Sequence, residues 1–104
     1  MLENALTRIF KVIPKAEEKS SILSELTQLT IDNLQIKLGA EIPEELTFIV
    51  VEVTIARYNR LGSEGASTVK IDAISYSYDE LFEPYSAIIK RYSKQSIKNF
   101  ARLI

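Results

Sequence analysis

Between Pro43 and Gly62 the apolar residues fall into two interleaved rows of helical spacing. Leu46, Ile49, Val50, Val53, Arg57 and Leu61 follow one row, and Phe48, Val51, Ile55 and Tyr58 follow a second. A helix that is apolar around most of its circumference packs against neighbours on several sides, so this stretch is predicted to be the centre of the fold. Its ends read the same way. Pro43 suits the first helical position, and Glu44 and Glu45 match the positive end of the helix dipole. Arg57 and Arg60 lie near the negative end, and Gly62 sits where a left-handed cap would fall. Phe48 to Ala56 is rich in β-branched residues, which is strand composition. The two-faced periodicity, the end signals and a length well beyond the usual strand of about 5–6 residues favour the helix. Ile42, just before Pro43, is a poor N-cap.

Upstream, Leu2, Leu6, Ile9, Phe10 and Ile13 line one side of a short helix that Pro14 stops, because the residue before a proline avoids the α region. Lys15 to Lys19 forms a charged connection. Ser20 or Ser21 caps a second helix carrying Ile22, Leu23, Leu26, Leu29, Leu34 and Leu38, and Gly39 ends it. The short link from Ala40 to Ile42 implies that this helix and the central one are antiparallel neighbours. After Gly62 the texture changes. Ser63, Gly65, Ser67 and Thr68 read as a polar loop. Val69, Ile71 and Ala73 then alternate with polar residues, and the alternation slips by one and resumes at Ile74, Tyr76 and Tyr78. Such a segment needs a pairing partner, and a neighbouring subunit is the expected one. Asp79 and Glu80 open a last core helix with Leu81, Phe82, Tyr85, Ile88, Ile89 and Tyr92 as its stripe. Beyond a polar break, Ile97, Phe100, Ala101 and Ile104 recur at i, i+3, i+4 and i+7, with Lys98 and Arg102 on the other face.

The pattern thus predicts a mainly α fold, a small helical bundle around a central helix at about 43–61. Further helices lie near 2–12, 20–38 and 79–92, with one extended loop or short β segment at about 63–78. Residues 1–92 form one domain, and residues 93–104 form a basic amphipathic arm.

Composition narrows the function. A chain of 104 residues, 46% of them hydrophobic, makes one domain with a real core. It contains no cysteine and no histidine, which removes disulfides, thiolate and imidazole metal sites, and every catalytic scheme built on those side chains. The lack of cysteine is compatible with a reducing cytoplasm. No apolar run approaches the roughly 20 residues of a membrane span, and Met1 to Lys19 does not read as a secretion signal. The net charge of −1 hides an asymmetry. Residues 1–83 hold 8 basic and 14 acidic residues, a balance of −6, whereas residues 84–104 hold 5 basic and no acidic ones. A basic tail on an acidic body suggests an acidic partner or another copy of the same body.

Little of this can carry catalysis. Glu44, Glu45 and Glu52 could be imagined as a carboxylate site, but a dipole-matched helix start accounts for Glu44 and Glu45 more simply. Gly62-Ser63-Glu64-Gly65 is too short for a phosphate loop and follows a helix where such loops follow a strand. No catalytic, cofactor or metal residue is assigned. Arg57, Tyr58, Asn59 and Arg60 are either a helix end with cations near its negative pole or contact residues at a subunit interface, where Arg and Tyr are over-represented. Tyr76, Tyr78, Tyr85 and Tyr92 present the same choice between core and interface. The basic tail, with Tyr92 and Phe100 interleaved, is either a solvated helix face or a loose nucleic-acid signature.

The run Arg57-Tyr58-Asn59-Arg60-Leu61-Gly62-Ser63-Glu64-Gly65, at the end of a long helix starting at Pro43, resembles the phage head–tail connector (adaptor) family, whose members are often labelled DNA-packaging proteins. Tyr76-Ser77-Tyr78-Asp79 is similar too, as is Leu38-Gly39 with its short run to Ile42-Pro43-Glu44-Glu45-Leu46. The similarity covers about residues 22–92. It departs at Ala66, where a bulkier apolar residue is expected, and at both ends. The resemblance implies a non-enzymatic structural virion protein at the neck of a long-tailed phage or prophage, made in the host cytoplasm. It implies a ring, dodecameric in the virion, that sits beneath the portal protein and extends the channel for DNA, which passes without sequence specificity. The ring would also offer a platform to the next neck or tail protein, with no cofactor and no membrane. On this reading Arg57, Tyr58, Asn59, Arg60, Ser63, Glu64, Tyr76 and Tyr78 are subunit-interface residues. Lys94, Ile97, Lys98, Phe100, Arg102 and Ile104 belong to an arm that docks on the portal or on a neighbouring subunit. The other readings of the residues are a small regulatory or antitoxin-like helical module binding DNA or one protein partner, and a small enzyme using carboxylates alone.

Overall fold

The computed structural model describes residues 1–63 and 78–93. Helix α1 spans Leu2–Val12, α2 spans Ser20–Leu38, α3 spans Thr47–Ser63, α4 spans Tyr78–Phe82 and α5 spans Ser86–Tyr92. One-turn 3-10 segments, Ala16–Lys19, Glu44–Leu46 and Glu83–Tyr85, lead into α2, α3 and α5. The protein is a small helical bundle, as the hydrophobic pattern predicts. The expected extended segment at 63–78 falls almost wholly outside the described residues.

The core is built by α1, α2 and α3, each packed on the other two, with the α2–α3 contact the most extensive. Helix α2 turns Leu23, Leu26, Thr27, Thr30, Ile31, Leu34 and Leu38 inward, a 3–4 spacing that keeps one face on the core for about four turns. Helix α3 is the most enclosed. From Thr47 to Leu61 only Glu52 and Asn59 are exposed. Ile49, Val50 and Val53 are sealed almost completely, and each such side chain contributes about 1.5–3 kcal/mol on burial. Tertiary packing of that two-faced stripe overrides the β-branched composition of residues 48–56. Helix α4 packs on α3 and α5 on α2, so the C-terminal elements cross both core helices and bury Phe82 and Ile89 between them.

The helix ends show where local chemistry decides. Ile13, before Pro14, is extended (φ −92°, ψ 118°), and α1 stops there. Gly39 adopts φ 70° and its N–H bonds back to Gln35 O at 2.8 Å, a left-handed cap. The remaining boundaries refine or correct the expectations. The charged connection 15–19 is a 3-10 turn entered through a left-handed Lys15 (φ 58°) and pinned by buried Ala16. That turn runs straight into α2, so neither Ser20 nor Ser21 caps it; Lys19 holds the N-cap position without a side-chain bond. Pro43 is extended (ψ 147°) and precedes a 3-10 turn, so the central helix starts at Thr47, whose hydroxyl donates to Glu44 O at 2.7 Å. At the other end α3 passes through Gly62 to Ser63, so Gly62 is a helical residue and not the cap.

Candidate subunit-contact site

The residues singled out near the end of α3 divide according to which side of the helix they occupy. Arg57 shares the phase of Val50 and Val53 and is therefore carried into the core, where it is 3% exposed. Its Nη1 donates to Thr30 Oγ1 of α2 at 3.0 Å, and Thr54, one turn earlier on α3, donates its hydroxyl to the same oxygen at 3.2 Å. Thr30 in turn donates to Leu26 O, one helical turn back, at 2.8 Å. A threonine hydroxyl offers one proton and two lone pairs. Thr30 uses all three, which makes it the junction of a polar layer set between apolar layers of α2 and α3. Thr27 beside it satisfies itself by donating to Leu23 O at 2.6 Å. Burial pushes the Arg57 guanidinium down from its ordinary range to about 9, which leaves it cationic at neutral pH.

Arg57 therefore fixes α3 against α2, while its neighbours are less enclosed. Tyr58 is half-buried at the edge of the core, Asn59 is exposed, and Arg60 is partly exposed. Arg60 Nη1 lies 3.6 Å from Glu80 Oε2 on α4, an ion pair worth about 0–1 kcal/mol at such exposure. That pair and the packing of α4 on α3 bring two stretches distant in sequence, Arg57–Ser63 and Tyr78–Glu80, to one end of the bundle. Ser63 closes α3 and Tyr78 opens α4. Glu64, Tyr76 and the arm residues Lys94, Ile97, Lys98, Phe100, Arg102 and Ile104 lie outside the described residues.

Of the other tyrosines, Tyr85 packs edge-on against Phe48 with ring centroids 6.1 Å apart. Burial, the charge of Glu52 and a hydrogen bond to that carboxylate together raise its hydroxyl above the usual tyrosine range. Tyr92 is half-buried against the core. Glu44 and Glu45 are exposed on the turn before α3. Among the described residues no three Asp or Glu side chains gather as a cation site, and no described helix is long and apolar enough to cross a membrane.

The sequence profile of the phage gp6-like head–tail connector proteins matches residues 4–93, from within α1 to the end of α5. The chain belongs to that family. No curated protein and no solved structure matches it significantly. As a member of a head–tail connector family, this connector is a phage structural protein of the head–tail junction, and its family associates with portal and tail proteins and oligomerises. The buried Arg57–Thr30–Thr54 layer is only half visible in the sequence. Arg57 stood in the apolar row of α3, but its partner Thr30 is a feature of folding rather than of spacing.

Proposed function

We propose that this connector assembles as a ring, dodecameric in the virion, beneath the portal of a long-tailed phage or prophage. The ring extends the DNA channel and presents a platform to the next neck or tail protein. The observation that carries this reading is the family match over residues 4–93. It is supported by the convergence of two candidate contact stretches at one end of the bundle. In this reading Tyr58, Asn59, Arg60, Ser63, Glu64, Tyr76 and Tyr78 meet the adjacent subunit, and Arg57 holds the helix end that carries them. Residues 93–104 form the arm that docks on the portal or on the neighbouring subunit. DNA passes without sequence-specific contact, the role is structural rather than catalytic, and the protein is made in the host cytoplasm.

The test is electron microscopy of the purified connector mixed with portal rings of the same phage. The expected result is an added ring of density on the portal, with the symmetry of the portal, and a weaker or absent one for a chain ending at Ser93. Portals that stay bare at connector concentrations of tens of micromolar, and a connector that sediments as a monomer throughout, refute the ring.

A further inference from the structure

The outer face of α2 carries one residue that the described part of its own subunit does not explain. Ile36 is 80% exposed, while every other exposed residue of the helix is Ser, Glu, Gln or Asp. It stands in a shallow groove of about 460 Å³ with Asp32, Gln35, Ala40 and Glu41. A second groove of about 320 Å³ shares Gln35 and Glu41 and continues to Met1, Ile42 and Glu44. The two form one surface where the end of α2, the start of α1 and the link to α3 meet. Its described lining includes the apolar Met1, Ile36 and Ile42 and the acidic Asp32, Glu41 and Glu44, and among the described residues no lysine or arginine side chain lines it.

We infer that this surface receives residues 94–104 of a second copy of the chain. The match is one of pattern and sign. The segment spaces Ile97, Phe100 and Ile104 as one apolar face and interleaves Lys94, Lys98 and Arg102, against three carboxylates and three apolar side chains on the surface. Opposite charge steers the encounter, and apolar burial holds it. The ring reading makes another copy the donor. Helix α5, which leads to the segment, packs on the flank of α2 marked by Lys37, beside Phe82 and Ile89. Ile36 lies about 100° away around the helix. A segment given by one copy and a groove offered by the next is a head-to-tail contact, the kind whose repetition closes a ring. The inference rests on the ring reading above and names the contact that would join its subunits.

Because the chain has no cysteine, single thiols can be placed at will. Full-length Glu41→Cys and Lys98→Cys chains, made separately with different isotopic mass, are mixed and treated with a short bis-maleimide. The expected product joins one of each. Adding Ile36→Ser to the Glu41→Cys chain should lower its yield about tenfold or more, the loss of one buried isoleucine. A Glu17→Cys chain, at the opposite end of α2, sets the background. A yield no higher than that background overturns the inference, and so does a chain carrying both thiols that links only within itself. If such a connector still forms rings or decorates portals, the ring stands and the arm goes elsewhere. If it does neither, the ring reading falls as well.

Discussion

Replacing Thr30 by valine keeps the shape of the α2–α3 contact and removes one oxygen. No cavity forms, so the effect isolates the polar layer. The carbonyl of Leu26 keeps its helical partner, and the Thr54 hydroxyl can turn to a carbonyl of its own helix, as Thr27 already does. The cost falls on Arg57, whose Nη1 loses an acceptor at 3.0 Å in a site 3% exposed. A hydrogen bond to a charged group contributes about 1.5–3 kcal/mol, and the displaced Thr54 bond adds up to about 1 kcal/mol, so Thr30→Val should cost about 2–4 kcal/mol. A small domain has only about 5–15 kcal/mol in total, and the thermal midpoint should fall by more than about 8 °C. Thr30→Ser keeps the hydroxyl and should lose only about 1 kcal/mol for its methyl group. The decisive assay is urea unfolding, followed by circular dichroism, of Thr30→Val, Arg57→Met and the double variant. Whatever else Arg57 touches cancels in the cycle, which should return a coupling of about 1.5–3 kcal/mol. A coupling below about 0.5 kcal/mol, or a Thr30→Val chain no weaker than Thr30→Ser, would refute the claim that this hydroxyl is the junction of the layer.

Val50→Asp and Val53→Asp each place a charge where the wild-type side chain is at most 1% exposed, and should abolish the cooperative melt in circular dichroism. Gly39→Ala forces a Cβ into φ 70° and should cost about 1–2 kcal/mol in urea, with the fold retained. The raised Tyr85 hydroxyl gives a pH signature. A group whose pKa is higher in the fold contributes stability below its ordinary value and loses it as pH rises through the folded value. The stability advantage of wild type over Tyr85→Phe should therefore shrink as pH rises through and beyond the ordinary tyrosine range, and the component missing from the 295 nm titration of the variant should lie above that range.

Most of the architecture was legible because its signals are local. Pro14 and Gly39 end their helices by backbone sterics alone, and the 3–4 spacing from Leu23 to Leu38 finds its face without help from the rest of the chain. The misreadings share a cause. Pro43, Gly62 and the serines at 20 and 21 are residue types that favour an end without compelling one. Before α2 and α3 a 3-10 turn takes up the expected boundary, and at Gly62 the α-helix simply continues. For the proposed contact site, the sequence singles out the end of α3 but not the division of labour among its residues. Spacing puts Arg57 in the row of Val50, yet composition makes an arginine near a helix end look exposed. Only a hydroxyl 27 positions earlier in the sequence, brought opposite by the α2–α3 packing, gives that charge an inward partner.

The enclosure of α3 also limits how such a protein can change. A junction protein must keep pace with substitutions in the proteins on either side of it. Between Thr47 and Leu61 this helix has just Glu52 and Asn59 open to alteration without repacking, and Glu52 is engaged by Tyr85. Adaptation to a new host particle is therefore pushed onto the outward faces of α1 and α2 and onto the end of the bundle where α3 meets α4. Libraries that randomise those faces should yield many folded variants with altered partner choice, whereas libraries in α3 should yield few folded ones at all.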